Sequence, residues 1–312
     1  MSISDMLDAA FRLYRRHFLT FIGIVALLQV PMAILQFAAQ LPYLQAMQRF
    51  TASPPVLAPG ASPLDIFPFA QLLPYYALIF GLSIFQYLLI YNLMTGALAN
   101  AISRSYLGQP ISILSSYNIG FKRVMALIAA SLIPLAAGLA FMALIAGCAF
   151  GAVYMYMQDG RTDAQPNVGL AIAAGIGLFG LIILGSLAGL FFYVRLMLTT
   201  QAVVLEGQGP LAGLARSWRL VGQAFWRSLG ILLLVYAFMY VVSLVVQLPL
   251  VAAGALFGLL FNTSGLYQGI ASLVTYGVLI LVLPLQFIIF TLLYYDLRIR
   301  KEGYDLELKI EH

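Results

Sequence analysis

Residues Phe11 to Ile24 read FRLYRRHFLTFIGI, and Trp218 to Ile231 read WRLVGQAFWRSLGI. In both, an aromatic is followed by Arg-Leu, a Phe falls seven positions after that aromatic, and Gly-Ile falls twelve and thirteen after it. Each string leads from a basic, aromatic stretch into a long apolar run. Such an entry is what a chain needs where it turns from an aqueous interface into a bilayer. Its recurrence predicts a membrane protein built from repeated units.

Composition points the same way. The chain has 312 residues, 62% of them hydrophobic and 9% charged, whereas a soluble domain carries roughly a quarter charged residues. Crossing a bilayer takes about 20 apolar residues at a rise of about 1.5 Å each. Six runs meet that length, at approximately 18–40, 73–100, 121–157, 168–200, 228–261 and 268–296. The first is not expected to be a cleaved signal sequence, because its apolar run is too long and Asp5 and Asp8 precede it. The one cysteine, Cys148, is expected to serve as a small apolar residue in a helix contact.

Cations fix the expected orientation. Of sixteen Lys and Arg residues only Arg49 and Arg161 fall in the odd-numbered connections, and the other fourteen share the side of the termini. This bias predicts cytoplasmic termini. Eight of the eleven acids lie on that side too, leaving it a net six positive charges, which suits anionic lipid head groups. Nucleic acid is disfavoured, since the basic residues are spread over four short membrane-tied segments rather than gathered on one soluble module.

Helical spacing of Ile3, Met6, Leu7, Ala10, Phe11 and Tyr14 predicts an amphipathic helix, started by a capping box of Ser2 and Asp5. Leu211, Leu214, Ala215, Trp218, Val221 and Phe225 trace a second stripe, and Ile111, Leu114, Tyr117 and Phe121 a weaker one. Each is expected to lie in the cytoplasmic interface ahead of a helical hairpin. LGQP at Leu107–Pro110 matches GQGP at Gly207–Pro210 at the ends of spans. The expected fold is therefore all-α and polytopic: one membrane domain over 1–312, with parallel repeats at approximately 1–100, 101–205 and 206–300 and a cytoplasmic tail over 301–312. The proline-rich stretch TASPPVLAPGASP at Thr51–Pro63 reads as an extended connection, and QDGRTDAQPN at Gln158–Asn167 as a polar turn. Asn262-Thr263-Ser264 matches a glycosylation triplet hard against the membrane.

Within the spans, Gly147 with Gly151, Gly185 with Gly189, and Gly254 with Gly258 have GxxxG spacing, predicting close helix contacts within the chain or at a dimer face. Gln29, Gln247 and Gln286 each lie two residues from a proline and are candidate intramembrane polar contacts, bonding a neighbouring helix or lining a path. Arg195 lies deep in the fourth run and is expected either to snorkel towards Asp296 or to bind a lipid phosphate. Candidate head-group ligands are Arg195, Arg216, Arg219, Arg227, Lys122, Arg123, Arg15 and Arg16, gathered by folding into one cytoplasmic ring.

No HExxH, GxSxG, P-loop or Cys/His cluster occurs, and the acids are almost all peripheral, so neither a catalytic site nor a cofactor or metal site is predicted. AFRLYRRHFLTFIGI from Ala10, LEGQGPLAGLARSWRLVGQAFWRSLGILLL from Leu205 and LYYDLRIRKEGYDLEL from Leu293 together resemble the glycerophosphoryl diester phosphodiesterase membrane domain family. That resemblance implies a membrane domain which, in some relatives, precedes a soluble phosphodiesterase barrel. With about fourteen residues after the last span, no barrel is expected here, and no catalytic residue is carried over. The leading expectation is a non-catalytic membrane protein binding anionic lipids, or a membrane or soluble protein partner, at its cytoplasmic face. Transport of a small solute or lipid is the alternative, and an intramembrane enzyme the least favoured.

Overall fold

A computed structural model describes residues 2–52, 69–159, 168–261 and 264–302. The proline-rich connection from Ser53 onward, the turn at 160–167, Asn262 and Thr263 of the glycosylation triplet and the tail from Gly303 lie outside the described residues. Described regular structure is entirely helical: α1 (Ile3–Arg16), α2 (Phe18–Ala52), α3 (Phe69–Phe85), a π-helical turn (Gln86–Tyr91), α4 (Asn92–Tyr106), α5 (Ile113–Asp159), α6 (Val168–Leu196), α7 (Thr199–Leu205), α8 (Pro210–Gly222), α9 (Phe225–Phe261) and α10 (Ser264–Glu302). Six helical segments are long and apolar enough to cross a membrane: Phe18–Met47, Leu72–Tyr106, Ile113–Met155, Ile172–Leu205, Phe225–Leu256 and Ala271–Glu302. Their mean hydropathies of 1.7 to 2.6 make the bilayer their natural solvent.

Local chemistry sets the helix ends. Ser2 Oγ accepts from the Asp5 amide at 3.1 Å, while the Ser2 amide donates to the Asp5 carboxylate at 2.9 Å, the reciprocal cap read in the sequence. His17 alone separates α1 from α2. The weaker amphipathic stretch, Ile111 to Phe121, is not a separate helix, because Ile113–Asp159 runs unbroken into its span. No proline interrupts the run between Ser116 and Arg123, and Gly120 packs against the backbone of α4 instead of ending the helix. After α4 the chain reverses through Gly108 at φ +73°, with the Gly108 amide donating to Ser105 O and the Gln109 amide to Arg104 O. That paired bonding requires a left-handed residue, which glycine adopts at little cost. Gly207, at φ +69°, turns the chain between α7 and α8, so the matched Gly-Gln strings are matched turns.

Burial is concentrated towards one end of the bundle. Every residue from 283 to 297 of α10 is buried, as is every residue from 92 to 105 of α4 except Arg104. These two stretches run side by side, with Tyr91 against Phe287 and Tyr106 stacked on Tyr295 at 5.3 Å. Around them pack α1, α7, α8 and the adjoining parts of α2, α5 and α9. Small residues let α5 close on α4: a Cβ on Gly120 would lie 3.1 Å from Leu93 O and 3.2 Å from the Ala97 amide nitrogen, and a Cβ on Gly96 would lie 3.4 Å from Gly120 Cα. No residue is buried between 131 and 155 of α5, 172 and 193 of α6, or 236 and 256 of α9.

Of the GxxxG glycines whose surroundings are described, only Gly185 meets another helix of the chain closely. Gly147, Gly151 and Gly189 face open space, while a Cβ on Gly185 would overlap the Phe141 ring. Gly258 lies outside the residues whose surroundings are described. Cys148 is likewise exposed rather than packed in a contact. The outer parts of α5 and α6 simply do not bring the rest of the bundle against these positions.

Candidate functional site

At the packed end, the carboxylate of Glu206, where α7 stops, meets Arg216 one and a half turns into α8. Arg216 Nε lies 2.9 Å from Glu206 Oε2 and its Nη2 2.9 Å from Oε1. The same guanidinium also grips Glu302 on α10, with Nη2 to Oε2 at 2.6 Å and Nη1 to Oε1. Arg298 adds contacts of 3.4 Å to both carboxylates, and the Tyr294 hydroxyl donates to Glu206. Burial opposes the charge on Glu206, but the hydrogen bonds from Arg216 and Tyr294 outweigh it and hold the carboxyl below its ordinary range. Arg216 is raised, first by its hydrogen bond to Glu302. The planar fork assigned in the sequence to a lipid phosphate is thus occupied by two carboxylates that lock α7 and α8 to α10.

Three more candidate ligands also have internal partners. Arg227 pairs with Asp296 at 2.9 Å, and Arg300 holds the same carboxylate at 3.1 Å. Arg123 donates to Gly207 O at 3.2 Å, bracing the turn. Arg195 does not reach towards Asp296. Its guanidinium carbon sits 4.8 Å from the Trp218 ring centre and 5.2 Å from that of Phe191, and its Nη1 donates to Trp218 O at 3.4 Å. Attraction of the cation to aromatic faces stands in place of the expected carboxylate partner. Beside it, Ser217 Oγ accepts from the Leu198 amide and donates to Arg195 O, which stitches the break between α6 and α7.

The remaining candidates, Arg15, Arg16, Lys122 and Arg219, are exposed, as is Arg12. On α1 the inward edge is Met6 and Ala10, both buried, with the Tyr14 hydroxyl donating to Leu281 O of α10 at 2.6 Å and Phe11 against Phe238 of α9. Its outward edge carries the exposed Arg12, Arg15 and Arg16; Phe11 keeps 40% of its surface exposed, and Phe18 and Leu19 at the start of α2 are exposed as well.

Among the intramembrane amides, Gln29 accepts from Gln86 Nε2 at 3.2 Å, and Gln86 accepts from Gln36, which in turn accepts from the Tyr276 hydroxyl. This chain joins α2, the π-turn and α10. Asn92 supports it by donating to Tyr87 O at 3.2 Å, Leu88 O at 2.9 Å and Ser131 Oγ at 2.8 Å, so the widened turn's carbonyls are satisfied. Gln286 donates to the Tyr236 hydroxyl at 3.5 Å, whereas Gln247 stays on its own helix, bonding Ser243 at 2.7 Å. Gln36, Gln86 and Asn92 were not singled out in the sequence. Their signal was available, since an amide without a nearby proline inside an apolar run also needs a partner. Among the described residues no group of three or more His, Cys, Asp or Glu side chains could hold a metal ion.

Fold and site together define a polytopic α-helical membrane protein, bonded internally by amides in its spans and by ion pairs at its basic end. More particularly, the chain belongs to the family described as Domain of unknown function (DUF7847), which matches residues 1–297. No curated protein and no solved structure matches it.

Proposed function

We infer that this is a non-catalytic membrane protein, inserted with both termini in the cytoplasm, that binds anionic lipid at its cytoplasmic face through α1. The observation that carries this reading is the two-edged build of α1: Met6 and Ala10 are buried in the protein, and Arg12, Arg15 and Arg16 stand exposed, close in sequence to the exposed Phe11 on α1 and Phe18 and Leu19 at the start of α2. Cations and apolar side chains exposed together around one short helix and the turn that follows it suit the boundary between head groups and acyl chains. Lys122 and Arg219, also exposed, extend the basic face. The charge bias between connections supports the orientation. Membrane-impermeant labelling of single cysteines at Gln109 and Gln208 should fail from outside, and labelling at Ser53 and Gln158 should succeed; labelling of Gln208 and Ser53 from one side would sink the orientation.

Each cation near an anionic surface contributes about 1 kcal/mol. Replacing Arg12, Arg15 and Arg16 together with Gln should therefore cut retention of phosphatidylglycerol relative to phosphatidylcholine by roughly tenfold or more, read by native mass spectrometry. Unchanged retention would discard α1 as the lipid site. Transport is the second reading, drawn from the amides in the spans. That Gln29, Gln36, Gln86 and Tyr276 bond one another favours a holding role for them over a path. Kinship with the phosphodiesterase membrane domain is part of the same proposal and rests on the three sequence strings alone.

A further inference from the structure

Between α6 and α9 lies a polar spot that neither the basic face nor the Gln29–Gln86 chain uses. The hydroxyls of Tyr193 and Tyr236 lie 2.7 Å apart, and Gln286, only 4% exposed, directs its Nε2 at Tyr236 from α10. Tyr91, on the π-turn and stacked with Tyr87, is within electrostatic reach of Tyr236. Tyr193 and Tyr236 are nevertheless 41% and 42% exposed, on a face of the bundle where α6 has no buried residue between 172 and 193.

Proton counting shows what this spot lacks. Gln286 donates to the Tyr236 oxygen, and the two hydroxyls share a single hydrogen bond in which either is the donor. One O–H of the pair therefore has no acceptor among the described residues. A donor left so in hydrocarbon gives up its bond to water with nothing in return. An interfacial tyrosine would meet water or bulk head groups instead. Tyr193 and Tyr236, however, both lie inside segments long and apolar enough to cross a membrane, Ile172–Leu205 and Phe225–Leu256. The spot is also uncharged: Arg195, two residues past Tyr193, turns its guanidinium to Trp218 and Phe191 instead. A phosphate placed there would be an unpaired buried charge.

We propose that the Tyr193–Tyr236–Gln286 cluster is a binding site for an uncharged amphiphile whose head group offers hydrogen-bond acceptors, of the diacylglycerol type, entering sideways between α6 and α9. Its ester carbonyl accepts the unspent hydroxyl proton, and its acyl chains lie along the exposed outer face of α6. The site is independent of lipid binding at α1.

The test titrates detergent-purified protein with dioleoylglycerol and, separately, dioleoyl phosphatidic acid, reading bound lipid by native mass spectrometry. Tyr193→Phe with Tyr236→Phe keeps both rings and removes both hydroxyls. Dioleoylglycerol should bind this double variant about three- to tenfold more weakly, on the order of one net hydrogen bond, with phosphatidic acid unaffected. Equal dioleoylglycerol binding by both proteins, none by wild type, or a parallel loss of phosphatidic acid overturns the proposal. A diazirine-bearing diacylglycerol crosslinked to the wild-type protein supplies a readout that does not depend on the variant folding. Adducts on α6 and α9 beside Tyr193 and Tyr236 support the site; adducts elsewhere, or a dimer contact covering this face, refute it.

Discussion

The stretches 92–105 and 283–297 and the stretch 131–155 belong to the same six-span protein, yet they live in different solvents. In the first two nearly every side chain is enclosed, including Asn92, Asn100, Ser103 and Gln286, whereas along α5 from 131 to 155 none is buried. Water drives apolar surfaces together, but acyl chains are as apolar as leucine, so helices within lipid associate through fit and hydrogen bonds instead. Where this chain supplies both, as at Gly96 against Gly120 and in the ion cluster of Arg216, the helices close up. Where it supplies little of either, the helices leave most of their side chains uncovered, with Phe141 against Gly185 a local contact of α5 with α6.

That contrast can be broken by mutation. The largest effect is expected at Arg216, because its removal leaves Glu206 and Glu302 without their main partner. Arg216→Ala should cost about 2–3 kcal/mol, below the range for a fully buried pair since these side chains keep some solvent, and should lower the melting temperature in detergent. The Glu206 carboxyl is held below its ordinary range, so its contribution is full above about pH 4.3 and disappears as pH falls through the lowered value. Acidification to pH 3 should then destabilise wild type more than Glu206→Gln. Identical acid profiles would show that the cluster does not hold the packed end together.

A smaller effect separates two glycines. Gly120→Ala pushes a methyl against the backbone of α4, which cannot move aside cheaply, and should cost about 1–2 kcal/mol. Gly147→Ala meets nothing within 4 Å and should be neutral or stabilising by up to about 1 kcal/mol through helix propensity. Equal losses in thermal stability at the two positions would mean that the outer part of α5 is packed after all.

How much of this was legible follows from the range of each signal. The spans were readable because a run of about 20 apolar residues is a local property, and so were the Ser2–Asp5 cap and the paired Gly-Gln turns. The Gly96–Gly120 contact was not, since its two glycines sit on different helices and no spacing links them. GxxxG at Gly147 misled for the converse reason: the spacing is local, but the partner it needs is not. Arg216 was counted as one cation among fourteen, and Glu206 and Glu302 as mere offsets to net charge. Only folding brings Arg216 within 3 Å of both Glu206 and Glu302. The opening echo was partly informative. Ile24 and Ile231 are both core residues, but a Cβ on Gly23 would strike Ile113 while one on Gly230 would meet nothing.

The π-turn at Gln86–Tyr91 carries a consequence for insertions and deletions. A π-turn holds one residue more than the α-helix it interrupts, and each α-helical residue advances the chain by about 100°. The wider turn absorbs its extra residue, so deleting one residue from 87 to 91 would return a plain α-helix with α3 and α4 in nearly their present phase. Gln86 would still face Gln29 and Gln36, and only Asn92, which now serves two carbonyls of the widened turn, would lose one of them. The same deletion near Gly147, in regular α-helix, would rotate one side of the break against the other by about 100°. Hydropathy is blind to both changes, and only the π-turn can take one up without reorienting a helix.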